Sequence, residues 1–348
     1  MSGPLIRRWT LIAASAIGWV AFMFTTVRYL AVSVALESQQ PLFIYLDWRA
    51  YATGAGQLLD RTLYRIPLDA GEAPLPLDVF NLPPLAAAAA LPFLALDSDG
   101  PLAWQLLAAI AVALAAIALG RMLGQSWTGA VLWAGVGLGA YVALDRLAVR
   151  EELNYWWGLV LGNNGYLMLG LIAAFALAYA AGHWRAAGLL LAVAIGLKVW
   201  PLALVPLLVR ERSWTTITWA GAALATQALV FVLWLGPEAV PFALAALGER
   251  AEVDTLTIGV ASVGVFVSWW PAWAPLAACL ILALLPARGL TGLGLGILAG
   301  LAAITNLWGH YLPTIIFGLV LVAGGLVTAA REQGARREPR SAAEGAIP

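Results

Sequence analysis

The sequence predicts an all-α polytopic membrane protein, a bundle of roughly 9–12 transmembrane or re-entrant helices with an amphipathic helix in an outer-face loop. Three observations predict it. Hydrophobic residues make up 62% of the 348 and charged residues 11%, against about 45–50% and about 25% in soluble domains. Mean hydropathy is +0.86. The apolar residues gather in runs that approach the ~20 residues a membrane span needs, and most arginines lie near the ends of those runs. No region is polar enough for a large soluble domain, so 1–330 reads as one integral membrane unit and 331–348 as a disordered cytoplasmic tail. The formal net charge of +0 argues against a nucleic-acid partner. The single cysteine, Cys279, excludes an internal disulfide framework and reads as a packing residue.

At the N-terminus Arg7 and Arg8 precede an apolar run, Leu11–Val27, longer than the 7–15 residues of a signal-peptide core. It reads as an uncleaved first span, Leu11–Leu36, with the N-terminus cytoplasmic. The outer loop 39–81 follows, carrying Asp47, Asp60, Asp69, Glu72 and Asp78. Its front predicts a helix lying on the membrane, because Trp48, Tyr51, Ala52, Ala55 and Leu59 share one face and Asp47 opens it. Pro83–Leu96 is too short to span and reads as re-entrant, in preference to an added crossing at Asp145–Leu161. Further spans are predicted at Pro101–Gly120, Thr128–Leu144, Tyr166–Gly182, Trp214–Leu235, Pro271–Leu285, Leu290–Thr305 and Leu312–Ala330.

Ala186–Val209 is also apolar, but it is broken by the only lysine in the chain, Lys198, and by Pro201. Proline stops the helix just past the charge. The positive-inside rule puts Arg185, Arg210, Arg212, Arg288 and the tail arginines in the cytoplasm. Ala186–Val209 must then enter and return as a pair of short helices, with Lys198 towards the outer side. The same parity places Asn163–Gly165, a second outer loop at 236–270 and Asn306–His310 outside. Trp200, Trp234, Trp269, Trp270, Trp273 and Trp308 are expected at the outer boundary, partly as an interfacial belt.

Four places could carry chemistry. Asp47 reads either as a helix N-cap beside Arg49 or as a general base at the membrane surface. Lys198 reads either as a snorkelling lysine or as a point charge for a phosphate. His310 is either an interfacial structural histidine or a group that binds phosphate or moves a proton. Gly162-Asn163-Asn164-Gly165 is a polar turn at a helix start, where an ordinary cap is the simplest reading. Asp97-Ser-Asp99 only superficially matches a metal–nucleotide-sugar signature. No common protease, hydrolase or ATPase motif is present, and no metal-ligand cluster is evident.

These pieces together resemble glycosyltransferase family 87, polytopic enzymes of the C-type glycosyltransferase fold that use polyprenyl-phosphate mannose. Asp47-Trp-Arg49-Ala-Tyr51-Ala, followed by Leu63-Tyr64, is similar to the family's first-loop pattern, and Phe80-Asn-Leu-Pro83-Pro84-Leu to its entry into the next helix. The central block is the most specific part: Gly162-Asn163-Asn164-Gly165, then Ala187-Gly188, Gly196-Leu-Lys198 with Pro201, and Arg210-Glu-Arg212. Trp308-Gly-His310-Tyr311 resembles the late motif. Asn163 stands where the family usually has glutamine, and the Ser-Pro that commonly precedes the late motif is absent.

The resemblance implies that Asp47 is the catalytic base and that Lys198 and His310 lie near the donor phosphate. Arg49, Tyr51, Asn163, Asn164, Trp308 and Tyr311 are candidate substrate-pocket residues. It implies transfer of a hexose, taken as mannose, from a polyprenyl-phosphate sugar to a glycolipid or glycan acceptor. The reaction would occur with inversion on the outer face of a bacterial plasma membrane, with no cofactor or metal required. Membrane lipids, the lipid-linked donor and the acceptor are the expected partners; the sequence sets no oligomeric state. Two rival readings are a transporter or flippase for a lipid-linked sugar, and an inactive assembly partner. The absence of a visible internal repeat and the acidic groups in outer loops favour an enzyme.

Overall fold

The computed structural model describes residues 3–37, 45–63, 82–147, 155–244, 285, 287–302 and 311–337. Those residues form α1 (Gly3–Glu37), α2 (Leu46–Leu59), α3 (Pro84–Leu94), α4 (Gly100–Met122), α5 (Trp127–Leu147) and α6 (Tyr155–Leu161). They continue with α7 (Gly165–Ala180), α8 (Trp184–Leu197), α9 (Val205–Arg210), α10 (Trp214–Leu235), α11 (Gly289–Ala302) and α12 (Leu312–Arg337). Among the described residues there is no strand. Helices satisfy every backbone group within the segment, which hydrocarbon demands of a chain this apolar.

Five of the helices are long and apolar enough to cross a membrane: Pro4–Glu37, Asp97–Met122, Trp127–Leu144, Trp214–Leu235 and Leu312–Gln333. The protein is thus an all-helical, multi-pass membrane protein, as its composition predicts. Small residues set how closely the helices approach. Gly18 on α1 faces Gly135 and Gly139 on α5 with no room for a Cβ, Gly170 on α7 lies against Ala111 on α4, and Gly294 on α11 meets Gly318 on α12. The short helix α7 is at the centre, with Tyr166, Met168, Ile172, Phe175 and Ala176 all buried.

The direction of each helix follows from these approaches. Gly188 on α8 packs against Thr216 and Ala220 of α10, and Gly196 packs against Gln227. The two helices therefore run parallel, and the chain must return between Lys198 and Arg210. It does so through an extended residue at Lys198, a 3-10 turn over Trp200–Leu204 and the six-residue α9. The helix pair predicted from the lysine and the proline is present, and it brings Arg185 and Arg210 to one end. Arg121, Arg212 and Arg288 lie at that same end, where α4 turns into α5 and where α10 and α11 begin.

Helix α3 is 11 residues long, about 16 Å at 1.5 Å per residue, roughly half a bilayer core. Leu85 near its start lies against Gly196, and Phe93 near its end lies against Gly100 and Trp48. Both ends sit at the lysine end of the bundle, so α3 does not cross, in keeping with the re-entrant reading. Asp97–Asp99 is an exposed 3-10 turn linking α3 to α4.

Three expectations are corrected. Helix α2 exists, but its apolar face is not spread on the membrane: Trp48, Tyr51 and Ala55 are buried inside the protein and Leu59 is 56% exposed. The face is taken up by α3 and by Trp104, whose ring lies 5.4 Å from Trp48 and 5.6 Å from Tyr51. Trp200 is buried rather than interfacial, because it packs against Gly300 of α11. The tail does not begin at 331: α12 runs on to Arg337, through Arg331, Glu332, Gln333, Ala335 and Arg336, most of them strong helix formers. The span expected at Pro271–Leu285 lies outside the described residues except for Leu285, as do Cys279, Trp269, Trp270, Trp273, Trp308 and residues 338–348.

Candidate active site

The site is assembled where α2, the α6–α7 turn, the break after α8 and the start of α12 meet. Helix α2 is entered through Tyr45, a left-handed residue (φ 59°) whose N–H donates to the Val160 carbonyl at 3.1 Å. Burial, and then the charge of Glu37, pushes the Tyr45 phenol up to about 12, so it stays neutral. Asp47 follows in the first turn of α2, where the helix dipole favours a carboxylate. It is not the N-cap, a position held by Tyr45. Instead the Asn163 amide nitrogen donates to Asp47 Oδ2 at 2.7 Å.

Asn163 owes its position to the turn between α6 and α7. Gly162 takes φ 74°, a left-handed value that glycine adopts without strain. It also lies so close to α2 that a Cβ there would sit 2.8 Å from Trp48 Cβ. The Trp104 indole donates to the Gly162 carbonyl at 2.8 Å, and the Gln105 amide donates to Leu159 and Val160 carbonyls at 2.8 and 3.3 Å. The N–H of Asn164 donates to the Tyr51 hydroxyl at 3.3 Å. The Asn163 side-chain oxygen accepts from Gly165 N–H at 2.7 Å, satisfying an orphan donor of the first turn of α7. Asn163, one residue before the N-cap Asn164, therefore ties the start of α7 to Asp47 with a single amide.

Lys198 reaches the same amide from the other side. It is the extended residue (φ −149°, ψ 138°) that ends α8. Its side chain is 7% exposed, so it does not snorkel. The ammonium donates to the Tyr311 hydroxyl at 3.0 Å and to Asn163 Oδ1 at 3.4 Å, and lies 5.0 Å from the Tyr311 ring centroid. Buried charges persist only where they are paired or hydrogen-bonded, and Tyr311 and Asn163 supply that here. A carboxylate and an ammonium are thus held on opposite ends of one amide dipole. That arrangement suits an oriented base beside a fixed positive charge.

The structure brings together Asp47, Tyr51, Asn163, Asn164, Lys198 and Tyr311. Arg49 is half-buried in α2, two residues beyond Asp47. His310 and Trp308 lie outside the described residues. A cavity of about 620 Å³ lined by Arg210, Glu211, Arg212, Arg288 and Gly289 is not at this site. The chain of contacts, not cavity size, marks the site.

A family model for glycosyltransferase family 87 matches residues 80–287. The chain belongs to glycosyltransferase family 87. No curated protein and no solved structure matches it. The matched stretch contains Asn163, Asn164 and Lys198, and their bonds reach Asp47 before it and Tyr311 after it. The protein is therefore a membrane glycosyltransferase, which moves a sugar from a donor to an acceptor.

Sequence reasoning missed the residues that hold the turn. Gln105 is a lone amide in an otherwise apolar span, a pattern that in membranes marks an interhelical hydrogen bond. Trp104 gave a weaker signal, an indole at a helix start.

Proposed function

We propose that this family 87 enzyme transfers a hexose, mannose, from a polyprenyl phosphate to a glycolipid or glycan acceptor on the outer face of a bacterial plasma membrane. The observation that carries the proposal is the Asn163 amide joined to Asp47 on one side and to Lys198 on the other. In a single displacement the acceptor oxygen attacks the anomeric carbon as the bond to the donor phosphate oxygen breaks. The acceptor proton passes to the Asp47 carboxylate, and the polyprenyl phosphate leaves with the electron pair. Attack from the face opposite the phosphate inverts a β-linked donor into an α-glycoside.

Asp47 acts as the base, with its carboxylate oriented by Asn163, a contribution of typically 10²- to 10⁴-fold. Lys198 offsets the charge that develops on the phosphate, and Tyr311 fixes the ammonium. His310, next in sequence to Tyr311, is the second donor-phosphate contact. Arg49, Tyr51, Asn164 and Trp308 border the substrates. Phosphate is already a good leaving group, so the scheme needs no metal or cofactor. The outer-face assignment is supported by the arginines at the opposite end of the bundle.

The test is a donor screen with the purified enzyme and membrane glycolipid acceptors. The expected result is transfer of radiolabelled mannose from polyprenyl-phosphate mannose, with release of the label by an α-mannosidase. Transfer from a nucleotide-activated mannose alone, or a β-linked product, would contradict the proposal.

A further inference from the structure

The cavity lined by Arg210, Arg212 and Arg288 lies at the end of the bundle away from the proposed site. Tyr179, which contacts its rim, is fourteen residues along α7 from Gly165, about 21 Å at 1.5 Å per residue. Three guanidinium-bearing residues, Arg210, Arg212 and Arg288, line the roughly 620 Å³ space with Glu211 and Gly289. Arginine stays charged under all physiological conditions. One carboxylate faces three such charges, and that carboxylate is already engaged. Glu211 Oε2 accepts from the Tyr179 hydroxyl at 2.6 Å, and Oε1 accepts from Gly289 N–H at 3.1 Å. Arg210 donates to the carbonyls of Leu285 and Ala287, which ties its guanidinium into the wall. Arg212, held on a left-handed turn residue (φ 55°), and Arg288 are exposed.

Trp184, Trp214 and Trp219 are exposed near the N-terminal ends of α8 and α10, at the same end of the bundle as this cavity, with Trp184 edge-on to Tyr179 at 5.1 Å and Trp219 beneath Arg185 at 5.7 Å. Exposed tryptophans beside arginines at helix ends are the pattern of a membrane–water boundary. Guanidinium forks match phosphate oxygens two at a time.

We propose that the Arg210–Arg212–Arg288 cavity binds a phosphate group at the membrane boundary, carried either by an anionic lipid headgroup or by a free phosphate. The site is separate from the sugar-transfer site, and its occupancy does not depend on the mechanism proposed for Asp47.

The full-length protein, purified in detergent, is titrated with phosphatidic acid and with phosphatidylcholine of the same acyl chains, and bound lipid is counted by native mass spectrometry. A parallel arm adds excess inorganic phosphate. The wild type is expected to retain one phosphatidic acid about tenfold over phosphatidylcholine, with the preference abolished in the Arg212→Gln/Arg288→Gln double variant. Arg288→Gln alone, an exposed position, is expected to weaken it severalfold with an unchanged melting temperature, which keeps the test valid should the double variant fold poorly. Lipid retention that survives excess phosphate supports the headgroup source. Binding of phosphate without a lipid preference, lost in the variants, supports the free ion. The proposal is overturned if the wild type binds neither, or if the variants bind as the wild type does.

Discussion

Replacing Gly162 by alanine tests the geometry of the site without touching a chemical group. Its φ of 74° disfavours any Cβ by roughly 1–2 kcal/mol. The added atom would also lie 2.8 Å from Trp48 Cβ, where carbon–carbon contacts settle at about 3.5–4.0 Å. Helix α2 must then back away by about 1 Å, and Asp47 adjoins Trp48. A shift of that size would break the 2.7 Å bond from Asn163 to Asp47, and misplacement of a reacting group by about 1 Å can lower turnover by about 10²-fold. The assay is transfer of radiolabelled mannose from polyprenyl-phosphate mannose, measured beside a thermal melt. Gly56→Ala is the control in the same helix, because nothing lies within 4 Å of a Cβ there. It should turn over normally and gain up to about 1 kcal/mol. Wild-type turnover by Gly162→Ala would refute the claim that this turn positions Asp47.

Other outcomes follow from the same contacts. Lys198→Met should lower kcat by roughly 10²- to 10³-fold, whereas Tyr311→Phe loses the 3.0 Å bond but keeps the ring and should lower it about tenfold; steady-state kinetics of both variants checks the order. Gln105→Leu removes the donor to the Leu159 and Val160 carbonyls and should destabilise the protein by about 1–3 kcal/mol, read as a lower melting temperature and slower transfer. Chelation with EDTA should leave the rate unchanged; a rate that falls and recovers with added magnesium or manganese would show that the metal-free scheme is wrong.

Much of the architecture was legible because the membrane makes a simple demand. Among the described residues the apolar runs are helices, and the lone lysine with Pro201 marked where a run had to break and turn back. Arg121, Arg185, Arg210, Arg212 and Arg288 fall at one end, as charge sorting across a bilayer leads one to expect, while Arg49 and Arg61 are at the other. Sequence could not say which partner would take the apolar face of α2: Trp48 and Tyr51 fit a lipid surface as well as they fit Trp104. Trp200 misled for the same reason, since an indole near a span end suits the boundary until Gly300 offers it a slot. The four elements of the site lie far apart in the chain. Their union through Asn163 depends on packing that no local pattern specifies, although the lone Gln105 marked the contact that helps to hold it.

The central claim is that Asp47 removes the acceptor proton. Single-turnover transfer by Asp47→Asn, loaded with polyprenyl-phosphate mannose, tests it most directly. An asparagine keeps the size of the side chain and can still bond to Asn163, so the protein should fold and hold its donor while transfer falls by about 10²- to 10⁴-fold. Transfer by Asp47→Asn at the wild-type rate would contradict the account.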